Sequence, residues 1–169
     1  IQRSRGLGDV YKRQTLFSDP TCQFSHRVRI VLAEKGVTVE IENTETDCVT
    51  DEILEANPYG TLPTLVDRDL ALYKSTVIME YLDERFPHPP LLPVYPVSRA
   101  ESRLWIYRIE RDWCSLIPKI EVQDSDEART ELRDSIVSIA SIFDEMPYFM
   151  SEEFTLVDYS DFGAEIRMI

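Results

Sequence analysis

Apolar residues along this chain recur with a period that switches between two and about three and a half, and the switches mark the elements. A short run, Thr15-Leu16-Phe17, ends in the turn residues Ser18-Asp19-Pro20, after which Phe24, Val28, Val31 and Leu32 recur at helical spacing as far as Gly36. That reads as strand, turn and helix, with glycine as the C-terminal stop. Val37, Val39 and Ile41 alternate with polar residues as a second strand, and Thr50 opens a short helix holding Ile53 and Leu54 that Asn57-Pro58 breaks. Leu62 to Val66 and Leu70 to Tyr73 flank the turn Asp67-Arg68-Asp69 and predict a β-hairpin. Ser75 is expected to cap a helix that buries Val77, Ile78, Tyr81 and Leu82. The order is β-α-β-α-β-β-α.

Pro63 stands inside a strand-like run, where a proline lacks the ladder donor. A cis peptide at Leu62-Pro63, in the loop entering the strand, reconciles the two; a plain edge-strand proline is the alternative. That element order with a proline heading the third strand is the arrangement of a thioredoxin-like domain, assigned here to residues 15–86. Five of the ten prolines then fall in Pro87 to Pro96, so residues 87–97 form a stiff, extended linker. Ser98-Arg99-Ala100-Glu101 has the form of a capping box opening a long helix with Leu104, Trp105, Ile109, Trp113 and Leu116 as apolar positions. A second helix from about Ser125 carries Leu132, Ile136, Ile139 and Phe143. These belong to a partial helical domain over residues 98–158, and their apolar stripes are expected to pack on each other. The fold class is therefore α/β plus all-α. Residues 1–14 have four basic residues against one acidic and no periodicity; they read as translated vector or adapter sequence, or as a disordered basic arm.

Charge and composition remove several function classes. The net charge is −13. Between residues 15 and 158 there are 28 acidic and 13 basic side chains, a surface that repels phosphate backbones and favours a basic protein partner over direct nucleic-acid binding. No apolar run approaches a membrane span and no signal-peptide pattern is present, so a soluble, cytoplasmic protein is expected. Cys22, Cys48 and Cys114 are irregularly spaced and fit reduced thiols better than a disulfide framework or a zinc site. The two histidines, His26 and His88, lie far apart, which argues against a metal centre, and no glycine-rich phosphate loop exists. Asp83-Glu84-Arg85 and Glu152-Glu153 read as solvated charge.

The thioredoxin-like order, proline-rich linker and helical second half resemble the cytosolic glutathione transferase superfamily. TLFSDPTCQFSHRVRIVLAEKGV, NPYGTLPTLVDRDLALYKS, EYLDERFPHPPLLPVYPVSRAESRL and YFMSEEFTLVD are similar to its bacterial stringent starvation protein A branch, over residues 15–158. The resemblance implies a regulator of starvation, stationary-phase and acid-stress responses that binds RNA polymerase holoenzyme and its sigma factor. It implies a homodimer, no cofactor and no catalysis. It also places the partner-binding patch at Pro87-His88-Pro89, residues that otherwise simply join two domains. Prolines would hold such a patch rigid before docking, and His88 adds a polar, titratable tip.

An enzymatic reading rests on Cys22, four residues after Ser18 in the first turn of a helix expected to begin near Thr21, where unpaired backbone N–H groups favour a thiolate. The segment resembles omega-type and dehydroascorbate-reductase-type transferases, whose cysteine here forms a mixed disulfide with glutathione. Gln23 stands where they usually have proline, and Ser25 removes a C-x-x-C pair, leaving only a monothiol cycle. The glutathione site implied by the resemblance comprises Leu62, Pro63 and Ser75. Lys74 replaces the acidic partner of that serine, and a lysine cannot accept a hydrogen bond from the tripeptide's ammonium. Phe154 to Asp158 contains the Thr-x-x-Asp box that starts the superfamily's central second-domain helix, but residues 159–169 break its periodicity. They read as an aberrant tail from a frameshift, a chimeric join or a truncated gene, or as a native short form. On that expectation Trp105, Ile109, Ile136 and Phe143 lose cover.

Overall fold

The computed structural model describes residues 14–144, 147–149, 151–158 and 160. The expectations for residues 1–13 and for the tail, Ser160 apart, lie outside them.

Strands β1 (Thr15–Ser18), β2 (Glu40–Asn43), β3 (Thr64–Asp67) and β4 (Leu70–Tyr73) form one sheet in the order β2-β1-β3-β4. β1 runs parallel to β2 and antiparallel to β3, with Phe17 opposite Thr64; β3 and β4 make the hairpin. Alternation along β1 sends Leu16 to one face and Phe17 to the other. Leu16 and Leu65 pack with Val28, Val31 and Leu32 of α1 (Gln23–Glu34) and Ile78, Met79 and Leu82 of α3 (Ser75–Arg85). Phe17 packs on the opposite face with Leu62 and with Ile53 of α2 (Asp51–Ala56). The Thr50 side chain caps α2, accepting from the Ile53 N–H. Gly36 takes φ +62 after α1, the left-handed stop its position predicts. The Leu62-Pro63 peptide is cis, and so is His88-Pro89, which the sequence did not signal.

The second half begins with α4 (Pro96–Arg108), continues through a π-helical turn (Ile109–Trp113) into α5 (Ile117–Gln123), and returns as α6 (Asp126–Ile139) and a 3-10 turn (Ala140–Asp144). Ser125 caps α6 by accepting from the Ala128 N–H. Leu156 and Val157 join the larger core, which spans both halves of the chain through Leu91, Leu92, Ile106 and Ile109.

Several expectations are corrected. β2 starts at Glu40 and is exposed throughout, with Ile41 43% accessible; Val37 and Val39 pack against the core ahead of the strand. α4 starts at Pro96, so the Ser98–Glu101 box does not open it: proline in the first turn gives up an N–H that has no helical partner, and Tyr95 takes the cap position. Leu104 is exposed. Ile109 is buried, Trp105 and Ile136 are half-buried, and of the four residues expected to lose cover only Phe143, at 42%, is exposed.

Candidate functional site

The register of β1 against β3 brings Ser18 and the Leu62-Pro63 turn to the same end of the sheet, where α1 and α3 also begin. Ser18 is fully buried and its hydroxyl accepts from Arg29, which also donates to the Asp19 carbonyl at 3.0 Å. The Asp19 carboxylate knits the loop after β1 to the loop after β2. It accepts from the Thr21 N–H and hydroxyl at 2.7 and 2.8 Å, and from the Thr46 N–H and hydroxyl at 3.1 and 2.5 Å. Burial pushes this carboxyl up, but the bonds from Thr46 and Thr21 outweigh it and hold the group well below the usual carboxylate range.

Cys22 sits at the cap position of α1, one residue ahead of the helix instead of inside its first turn, and its side chain makes no capping bond. It is half-buried, while Cys48 is exposed and Cys114 buried. The Cys22 carbonyl accepts from the His26 N–H at 2.9 Å. Burial, and then the Arg29 charge, hold the His26 imidazole below its ordinary value.

Ser75 does not cap α3. Lys74, at φ +70, takes that place, and Ser75 becomes the first helical residue, 3% exposed, its hydroxyl accepting from Arg27. The Arg27 guanidinium, 2% exposed, also pairs with Glu110 from the π-helical turn and lies 4.9 Å from the centre of the Phe24 ring. Lys74 Nζ, on a side chain that is 63% exposed, stands 3.7 Å from the other Glu110 oxygen. The serine expected to face a ligand is thus spent on a contact that ties α1 and α3 to the second half of the chain. The Nε and Nη1 atoms of Arg27 have no partner in the structure. Leu62 and Pro63 are buried at the head of β3. A cleft of about 530 Å3 over Thr15, Val66 and Ala71, rimmed by Glu40, Glu52 and Glu55, contains none of Cys22, Leu62, Pro63 and Ser75. Nor does one of about 240 Å3 beside Trp105 and Phe149.

Pro87, His88, Pro89 and Pro90 are all exposed. Beneath them Lys35, whose side chain is fully buried, lies 2.6 Å from Asp83 Oδ1 and donates to the Pro89 carbonyl; the same Asp83 oxygen accepts from the Leu91 N–H at 2.8 Å. Asp83 is therefore not the solvated charge its neighbours suggest, although Glu84 and Arg85 are exposed. Sequence reasoning missed Arg27, Lys35, Asp83 and Glu110. The available signal for Asp83 was its place one residue after Leu82, on the edge of the apolar stripe of α3. Among the described residues no group of three or more His, Cys, Asp or Glu is placed to hold a metal ion, and no helix is long and apolar enough to cross a membrane.

Residues 16–90 match the glutathione S-transferase N-terminal domain family. The chain is 60% identical over 147 residues to a stringent starvation protein A homolog of Pasteurella multocida, covering 85% of this chain and 69% of that one. It is 55% identical over 147 residues to the homolog of Coxiella burnetii, covering 85% and 70%. Among solved structures, an omega 3C glutathione transferase from Trametes versicolor superposes with a TM-score of 0.81 at 23% identity, over 93% of this chain and 73% of that one. A delta-class transferase from Nilaparvata lugens gives 0.82 at 20%, over 90% and 76%. These two likenesses speak to the fold alone.

Proposed function

We propose that this chain, which belongs to the stringent starvation protein A family and has the glutathione transferase fold, acts as an RNA polymerase-associated transcription regulator of starvation, stationary-phase and acid-stress responses. In this reading the Pro87-His88-Pro89 face contacts the holoenzyme or its sigma factor, no glutathione is turned over, and the protein works in the cytoplasm as a homodimer. The observation that carries it is a contrast in exposure. Ser75, on which tripeptide binding would depend, is buried against Arg27 beside the cation Lys74, whereas the four linker residues Pro87 to Pro90 stand open to solvent. A proline-rich face loses little entropy on docking, and the acidic surface suits a basic protein partner. Exposed Val77, Leu104 and Tyr107 on α3 and α4 offer apolar surface for a second copy.

A second reading, a glutathione-dependent thiol transferase, is favoured by the half-exposed Cys22 at the head of α1. One experiment separates them: capture of the purified chain on immobilised RNA polymerase holoenzyme, with glutathione binding followed by calorimetry on the same samples. Capture that survives Cys22→Ser and is lost in the double substitution Pro87→Ala with His88→Ala, without glutathione heat, is the expected result. Glutathione heat that disappears in Cys22→Ser, with no capture by polymerase, would establish the thiol transferase instead.

A further inference from the structure

Prolines fix φ along the exposed linker but leave ψ to be set by other contacts. Pro87, Pro89 and Pro90 have no N–H, so three of its four residues can donate no backbone hydrogen bond. Its order comes from below. Lys35, the residue that ends α1, extends its ammonium to the Pro89 carbonyl, and Asp83 of α3 receives the Leu91 N–H. The backbone is thereby gripped on both sides of Pro90. Leu91 passes the restraint on, its carbonyl accepting from the Leu156 N–H at 2.8 Å.

The buried charges are not required for packing α1 on α3, which Val28, Val31, Ile78 and Leu82 already accomplish. Burying an ammonium and a carboxylate costs desolvation that two apolar side chains would avoid. What apolar side chains cannot do is bind a carbonyl and an N–H of the linker, and the 2.6 Å ion pair does both. The geometry points to Lys35 and Asp83 as positioning residues, a buried ionic post that presents the Pro87-His88-Pro89 face in a single conformation to its protein partner. This assignment rests on the linker reading proposed above.

The test uses the full chain with Lys35→Leu and Asp83→Leu together, which refills the volume without stranding a charge and leaves the two bonds to the linker backbone as the main loss. Two quantities are then read: exchange of the Leu91 amide by NMR, and capture on immobilised polymerase holoenzyme. The Leu91 amide is expected to exchange at least tenfold faster, with Leu16 and Leu65 in the sheet unchanged, and capture is expected to fall as far as it does in His88→Ala. Unchanged Leu91 exchange overturns the assignment. Capture retained by the leucine pair but lost in His88→Ala overturns positioning while leaving the linker reading intact. Capture indifferent to Pro87→Ala with His88→Ala overturns the linker reading and this assignment with it. If the leucine pair does not fold, Lys35→Gln with Asp83→Asn carries the same two measurements: it strands no charge, and its neutral amides hold the Pro89 carbonyl and the Leu91 N–H less strongly, so both effects are expected in the same direction at smaller size.

Discussion

Asp19 gives a test in which the size of an effect and its dependence on pH are both set by one carboxylate. It is buried, and each oxygen serves one threonine: Oδ1 the N–H and hydroxyl of Thr21, Oδ2 those of Thr46. In Asp19→Asn the single amide oxygen can keep one threonine, and the amide NH2 must face the donors of the other. Hydrogen bonds to a charged group contribute about 1.5–3 kcal/mol by substitution, they do not add when they share an acceptor, and the freed donors of an exposed threonine regain water. A net loss of about 2 kcal/mol at pH 7 follows. The folded-state carboxyl titrates below its unfolded value, so its contribution is complete above the unfolded pKa of about 3.9 and is lost as pH falls towards the folded value. The asparagine variant binds no proton there and lacks that dependence. Urea unfolding followed by the fluorescence of Trp105 and Trp113, on both proteins from pH 7 to pH 3, should show a gap of about 2 kcal/mol that narrows below about pH 4. A gap that stays constant down to pH 3, or one smaller than about 0.5 kcal/mol at pH 7, refutes the reasoning.

Substitutions at two further positions probe the ends of helices. Asp158 accepts from the buried N–H groups of Phe149 and Thr155, at 2.9 and 2.8 Å, so Asp158→Ala should cost about 3 kcal/mol in the same unfolding assay and Asp158→Asn less. An added Cβ at Gly36 would meet nothing within 4 Å, so Gly36→Ala should lose only the backbone cost of a positive φ, about 1 kcal/mol; a loss several times larger would mean that the helix stop is not set by backbone conformation.

What the sequence disclosed and what it hid divide along a physical line. Apolar spacing reported burial for Val28, Val31 and Leu32 on α1 and for Ile78 and Leu82 on α3, which are buried as read, but not for Val77, expected on the buried face of α3 and 47% exposed, nor for Leu104 on α4. Strand β2 was misplaced because what decides it is backbone pairing with β1, and that pairing falls on Glu40 to Asn43, where side chains leave no periodic trace. The start of α4 was missed because a proline in the first turn competes with a capping box two residues later. Of the candidate site, Pro63 and its cis peptide were legible, and so was Lys74 as a departure from the transferase pattern. The burial of Ser75 was not, because it depends on Arg27, 48 positions away.

That last dependence extends to the other hidden residues. Arg27 meets Glu110 across 83 positions and Lys35 meets Asp83 across 48, distances over which no local pattern indicates which charge finds which. Both cations lie on α1, one near its start and one just past its end, and both are buried. α1 therefore does more than lay an apolar stripe on the sheet. At its beginning Arg27 joins the head of α3 to the second half of the chain, and in doing so takes up the Ser75 hydroxyl. Beyond its last turn Lys35 binds the linker backbone. A charge is worth burying only where its partners are worth more than water. Here one set of partners is the Ser75 hydroxyl and Glu110, and the other is the Pro89 carbonyl with Asp83. On the function proposed above, the same helix withholds the Ser75 hydroxyl from a ligand and orders the linker that a partner would meet.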